Sequence, residues 1–196
     1  IPSTGIQPRM ALGFTAGALL AIIGNKRAIQ QAKALSKSLI PSEQESAGKT
    51  LAGKLKGYVP VVYSSTKNQA IAYNWKIKFN ETGKIPAFWN VVPELNHNEM
   101  TGLDPAPSAS SGGAGLRVKD AQKLSRIFYF IFLRDAQDHP RIQKRMQILA
   151  ELYRNRDLPV HDVSIEGKVV FQKIFSSLVL ADLAALYVAK LYHLEA

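Results

Sequence analysis

The densest group of reactive side chains in this chain is Pro93-Glu94-Leu95-Asn96-His97-Asn98-Glu99. Two carboxylates, an imidazole and two amides within one short stretch suit proton transfer between heteroatoms, or the holding of a cation. The spacing does not reproduce H-E-x-x-H and no second histidine lies close by, which disfavours a metal centre. The chain has no cysteine, so thiolate zinc sites, disulfides and a cysteine nucleophile are out. Neither a G-x-S-x-G elbow nor a convincing Ser–His–Asp order supplies another nucleophile. There is no G-x-G-x-x-G and no Walker motif for a nucleotide. Acid–base chemistry without metal, cofactor or covalent intermediate is what remains. The plainer alternative is a histidine bonded to Asn96 or Asn98 to shape a turn.

Two further stretches could contribute. Glu81 sits near the end of a helical pattern, in Asn80-Glu81-Thr82-Gly83-Lys84, where the helix dipole disfavours a carboxylate. A carboxylate there is either solvated or kept for use as a base. Ser64-Ser65-Thr66-Lys67-Asn68 follows a strand pattern and opens a helix, so Ser64, Ser65 and Thr66 could hold an anion on the helix's positive end. Simple N-capping explains the same residues. Trp75 and Trp89 flank these stretches and read as packing ahead of ligand stacking.

The elements that must position these groups follow a rhythm. Tyr58–Tyr63, Phe88–Val92, Arg126–Leu133 and Val160–Ser164 read as strands. Helical patterns cover Asn68–Thr82, His139–Asn155 and Lys168–Tyr192. The unbroken apolar run Arg126–Leu133 (RIFYFIFL) is expected where helices cover both faces of a strand. Alternating strands and helices call for an α/β, three-layer sandwich with a mostly parallel sheet flanked by helices. In such sheets ligands sit beyond the carboxyl ends of the strands, here just after Tyr63, Val92 and Leu133. Residues 1–57 read as a helical lead-in and 58–196 as the α/β core. Met10–Ile23 reads as a buried helix opened near Pro8, too short to span a bilayer. Asp104–Gly115 (DPAPSASSGGAG) is a low-complexity loop.

Composition bounds the partners. With 196 residues and 46% hydrophobic content the chain can fill one core, which excludes disordered and fibrous classes. The formal charge of +10 makes an anionic partner worth weighing, but the basic residues are spread over helices and form no block. Nucleic acid lacks a recognisable motif. No transmembrane or targeting segment is evident. The absence of cysteine fits a reducing, cytoplasmic compartment.

The stretch Pro60–Gly102 resembles the C-terminal half of the bifunctional phosphoglucose/phosphomannose isomerases, members of the sugar isomerase (SIS) superfamily. The resemblance rests on the Trp75-Lys76 pair, on N-E-x-x-K at Asn80–Lys84 and on P-E-L-N-H-N-E at Pro93–Glu99. Pro8-Arg9 followed by Ala11-Leu12-Gly13, and Pro140–Arg145, extend it over most of the chain. It implies an SIS-type, flavodoxin-like fold and aldose–ketose interconversion of glucose or mannose 6-phosphate with fructose 6-phosphate through a cis-enediol. It implies Glu81 as the base moving the proton between C1 and C2, His97 as the aid to ring opening, and Arg9 as the stabiliser of the enediolate. The family's Ser/Thr phosphate loops belong to an N-terminal SIS half, and its ring-opening lysine follows the last long helix. Neither is matched here, and Lys190, inside that helix, is not given the role. The expectations are therefore a phosphorylated hexose as substrate, a homodimer, and little activity from these 196 residues alone. The competing reading is a non-catalytic SIS module that binds a sugar phosphate for regulation.

Overall fold

A computed structural model of the chain describes residues 5–103 and 123–195; the Asp104–Gly115 loop lies outside them. Four strands, β1 (Val59–Ser65), β2 (Phe88–Val92), β3 (Phe128–Arg134) and β4 (Val160–Ser164), form one parallel sheet in the order β2-β1-β3-β4. The helices are α1 (Leu12–Ile23), α2 (Lys26–Ser38), α3 (Glu45–Leu55), α4 (Gln69–Glu81), the single turn α5 (Glu99–Gly102), α6 (Pro140–Arg154) and α7 (Val170–Leu191).

Alternate side chains of the central strands leave on opposite faces, and both faces are covered. Val62, Tyr129, Ile131 and Leu133 join Leu51 and Leu55 of α3, Trp75 and Phe79 of α4 and Ala181 and Val188 of α7. Val61, Tyr63, Phe130 and Phe132 join Leu95 and Met146, Leu149 and Tyr153 of α6 on the other face. This is why the β3 sequence shows no polar alternation, as the three-layer expectation required.

Two expectations change. The core begins at α3, ahead of residue 58: Leu51, Ala52 and Leu55 are all but fully buried, although their polar, glycine-bearing surroundings hide them in the sequence. Conversely, α1 contributes no buried residue. Phe14, Leu19, Ile22 and Ile23 are exposed, so the apolar run Met10–Ile23 is a helix but not a buried one. It ends at Gly24 in the left-handed conformation, after which the Asn25 side chain caps α2. By length and composition α7 could cross a membrane; here it packs on α3 and α4 and carries Lys173 and Asp182 in ion pairs.

The contact of α3 with α7 depends on Gly48, where an added Cβ would stand 2.6 Å from Leu183 Cβ. Gly53, on the same helix, has open space at that position. Gly48→Ala should therefore destabilise the domain by about 1–3 kcal/mol despite better helix propensity. Gly53→Ala should stabilise it by roughly 0.5–1 kcal/mol. Urea midpoints for the two variants check the opposite signs.

Candidate active site

With this strand order the crevice between β1 and β3 is the topological switch point, where open α/β sheets usually hold ligands. Here it is filled by the chain's own polar side chains. Ser65 Oγ donates to Asp138 Oδ1 at 2.8 Å, and Asn68 Nδ2 donates to Asp135 Oδ2 at 3.0 Å. Lys173, reaching in from α7, donates to Asp135 Oδ1 at 2.8 Å and to Gln137 Oε1 at 2.9 Å, and Lys67 adds a 3.2 Å contact to Asp135 Oδ2. Burial works against ionisation of Asp135, but these donors outweigh it and hold the carboxyl well below the usual range. Asp138 moves the other way, chiefly through burial and then through the neighbouring Asp135 charge, and its Oδ2 is buried without a partner.

Ser64, Ser65 and Thr66 therefore do not form an open anion cradle. Ser64 Oγ donates to Ser65 O, Ser65 Oγ to Asp138, and Thr66 Oγ1 to Val92 O. An anion at this turn would displace those bonds and face two carboxylates. Nor do these hydroxyls cap α4: its cap residue, Asn68, makes no side-chain cap bond, and neither does Ser65. Open space at this edge is a cavity of about 490 Å³ beside β3 and β4, lined by Asp138, Gln143, Lys144, Ser164 and Glu166 among others, with none of the three hydroxyl residues.

Glu81 is the last residue of α4 and is exposed. The turn behind it is tightly built. Lys78 O accepts from Thr82 N and Gly83 N, Phe79 O accepts from Ile85 N, and Asn80 Nδ2 donates to Ile85 O at 2.9 Å. A Cβ on Gly83 would meet Phe79 O at 2.7 Å, and Lys84 takes a positive φ of 56°. One turn before Glu81, the buried Lys78 pairs with Asp182 of α7 at 2.5 Å. Arg9 lies in the 3-10 turn Pro8–Met10, half-buried, with its Nε shielded and unpartnered. Leu12, three residues on, packs on the cluster that α3, α4 and α7 cover.

His97 stands elsewhere. It follows β2 by five residues, at the carboxyl edge, on an exposed turn rooted by the buried Leu95 in the other face. Because α4 runs back from the carboxyl ends to the start of β2, Glu81 is at the amino edge. The length of β2 alone separates the two edges by about 13 Å. Of the expected catalytic residues, the fold thus puts Glu81 and His97 at opposite edges of the sheet, while Arg9 sits in the lead-in turn.

The tryptophans pack, as the sequence favours: Trp75 is fully buried with Nε1 donating to Ser177 Oγ, and Trp89 meets Tyr73 edge-on. Among the described residues no three His, Asp or Glu side chains converge to hold a metal ion.

The family model described as "Bacterial phospho-glucose isomerase C-terminal SIS domain" matches residues 44–196. The chain belongs to that family. This SIS domain is 33% identical over 207 residues to the bifunctional phosphoglucose/phosphomannose isomerase of Caldicellulosiruptor bescii, covering 98% of this chain and 56% of that protein. It is 29% identical over 189 residues to the protein of the same name from Aquifex aeolicus, covering 96% and 54%. The SIS domain thus spans about half the length of these curated relatives. Among solved structures, a glucose-6-phosphate isomerase like protein from Thermus thermophilus superposes with a TM-score of 0.68 at 16% identity, covering 97% of this chain and 59% of that one. That likeness is one of fold.

Sequence reasoning pointed to the residues after Leu133 but assigned nothing to Asp135 and Asp138. Their position after β3, opposite Ser65 and Asn68 after β1, was the available signal. Lys173, 38 residues from Asp135, offered none. Asp135→Asn leaves a buried ammonium without its counter-charge and should cost about 3–5 kcal/mol in urea unfolding near neutral pH. Since the folded carboxyl ionises more readily than the unfolded one, its contribution is fully present above the ordinary Asp pKa and is lost as pH falls below it. The stability gap between wild type and Asp135→Asn should narrow as pH drops from about 4 towards 2.

Proposed function

We propose that this SIS domain is the C-terminal half of a cytoplasmic aldose–ketose isomerase acting on glucose or mannose 6-phosphate, working as a homodimer without metal or cofactor. The observation that carries the reading is that the two motifs matching the family are also two closely bonded turns. Each of these turns presents one exposed side chain able to move a proton, Glu81 or His97.

In this reading His97 assists opening of the cyclic sugar. The Glu81 carboxylate then removes the proton from C2 of the open-chain aldose, giving a cis-enediolate whose charge the Arg9 guanidinium offsets. The same proton returned to C1, with the O2 hydroxyl proton passing to O1, yields the ketose, so no redox partner is consumed. Glu81 and His97 lie at opposite sheet edges and on different faces, so one chain cannot easily apply both to one sugar. A second copy that brings its His97 to Glu81 supplies the pair, which is what supports the homodimer. Ser64, Ser65 and Thr66 have their hydroxyls committed within the chain, which speaks against their holding the phosphate. The regulatory, non-catalytic reading is less favoured, because a sensor has no use for a carbon base.

Glu81→Gln in the assembled isomerase should leave substrate binding nearly unchanged and lower kcat about 100-fold or more. A fall smaller than about tenfold, roughly 1.4 kcal/mol, is too little for loss of the base and would remove Glu81 from the mechanism. His97→Ala should slow turnover of the cyclic sugar more than that of a substrate supplied in open-chain form. Equal losses on both would place His97 at the enediolate or in the turn alone.

A further inference from the structure

His97 is exposed, and among the described residues no hydrogen bond holds its ring. Its placement must therefore come from its backbone. Exposed turns belong to the least stable parts of a fold, so a working imidazole needs the turn fastened close on both sides. Two residues before it, Leu95 is fully buried against the sheet. Two residues after it stands Glu99, the last residue of P-E-L-N-H-N-E.

The Glu99 carboxylate receives one donor from each of two neighbouring strands. Tyr63 Oη donates to Oε2 at 2.6 Å, and Asn90 Nδ2 donates to Oε1. Tyr63 on β1 and Asn90 on β2 are register partners, directly opposite in the ladder, so the two donors stand side by side on the face above which the turn lies. Asn90 is held in turn by Val91 N donating to its Oδ1. The Tyr63 ring is fully buried among Phe130, Phe132 and Tyr153. A phenylalanine would satisfy that packing, whereas the hydroxyl serves Glu99. The link back to His97 is short: Asn98 Oδ1 accepts from Glu99 N at 2.6 Å, and Thr101 Oγ1 reaches His97 O at 3.4 Å.

We propose that Glu99 is the positioning residue for His97, its carboxylate clamped by the Tyr63–Asn90 cross-strand pair so that the backbone carrying the imidazole is held at one place above the carboxyl edge. The role in catalysis rests on the isomerase reading above; the clamp itself does not. Leu95 anchors one side of the turn and Met100 and Leu103 pack on the same cluster beyond it, and the carboxylate clamp adds a polar fastening two residues from His97.

The test uses this chain in solution, with the His97 ring signal in NMR assigned by its loss in His97→Gln. In Glu99→Ala the amide order parameters of residues 96–102 should drop from about 0.85 to below about 0.6, and the His97 signal should move to the free-histidine position. The methyl signals of Val62 and Ile131 in the core should stay in place. Glu99→Gln, which still offers an acceptor to Tyr63, should restore much of the order. If Glu99→Ala does not fold, Tyr63→Phe decides, since it removes one donor and keeps the ring. Loosening of residues 96–102 in that variant supports the clamp, and wild-type order with an unmoved His97 signal overturns it. Folded Glu99→Ala with an ordered turn overturns it equally. In the assembled isomerase, Glu99→Ala should lower kcat on the cyclic sugar about tenfold or more with little change in KM, and should add nothing to His97→Ala. A catalytic loss that adds fully to that of His97→Ala counts against the positioning role. Absence of turnover in the unmutated assembly would end the isomerase reading and leave the NMR result to judge the clamp.

Discussion

The constraint on which this molecule turns is that a parallel sheet with crossover helices has no face left for water. Each of β1 and β3 sends alternate side chains into two separate apolar clusters, one roofed by α3, α4 and α7 and the other by α6 and the Leu95 turn. Polar chemistry is thereby thinned out on both faces, where the Tyr63–Asn90–Glu99 contact is one exception, and gathers at the two ends of the strands. The carboxyl ends of β1 and β3 receive Ser65, Asn68, Asp135 and Asp138; the end of β2 receives the His97 turn; the amino edge receives the end of α4 with Glu81. The location of Glu81 and of the His97 turn follows from that requirement of burial.

A second consequence concerns α7. Read as composition it is apolar, yet it carries one buried and one half-buried charge that tie the layers together. Lys173 meets Asp135 at the end of β3, and Asp182 meets Lys78 of α4. Burial raises the Asp182 carboxyl while the Lys78 ammonium lowers it, and burial is the stronger. Such pairs add little net stability over apolar replacements, but each is satisfied only at one rotation and one height of the helix. They fix the placement of α7, and Trp75 Nε1 on Ser177 adds a third polar pin.

Much of this was legible in the sequence, for identifiable reasons. The strands were visible because buried parallel strands keep β-branched and aromatic residues without polar interruption, as in Phe128–Leu133. The α4 helix and its terminal turn were visible because Asn80, Gly83 and Lys84 carry turn chemistry that the backbone uses directly. What stayed hidden depended on partners distant in the chain. Leu51 and Leu55 look like scattered apolar residues until α7 covers them. Met10–Ile23 looks like a core helix because apolarity alone does not say what covers it. Asp135 with Lys173, and Glu99 with Tyr63, are contacts across 38 and 36 residues with no periodic trace. The separation of Glu81 from His97 could have been inferred, since a helix leaving one strand's end must deliver its own end to the next strand's beginning.

Among the described residues β4 is the outermost strand on its side of the sheet, with a row of backbone groups that a foreign strand could join. Its middle residue, Asp162, is gripped by Arg134 from β3 and Arg154 from α6, and burial of its carboxyl is outweighed by these two guanidiniums. Beside it His161 is half-buried and pushed by burial and by Lys54 towards its neutral form. A newcomer pairing along β4 would have to strip water from this cluster of fixed charge. Fixed charge along β4 thus works against fibril-like pairing at this edge.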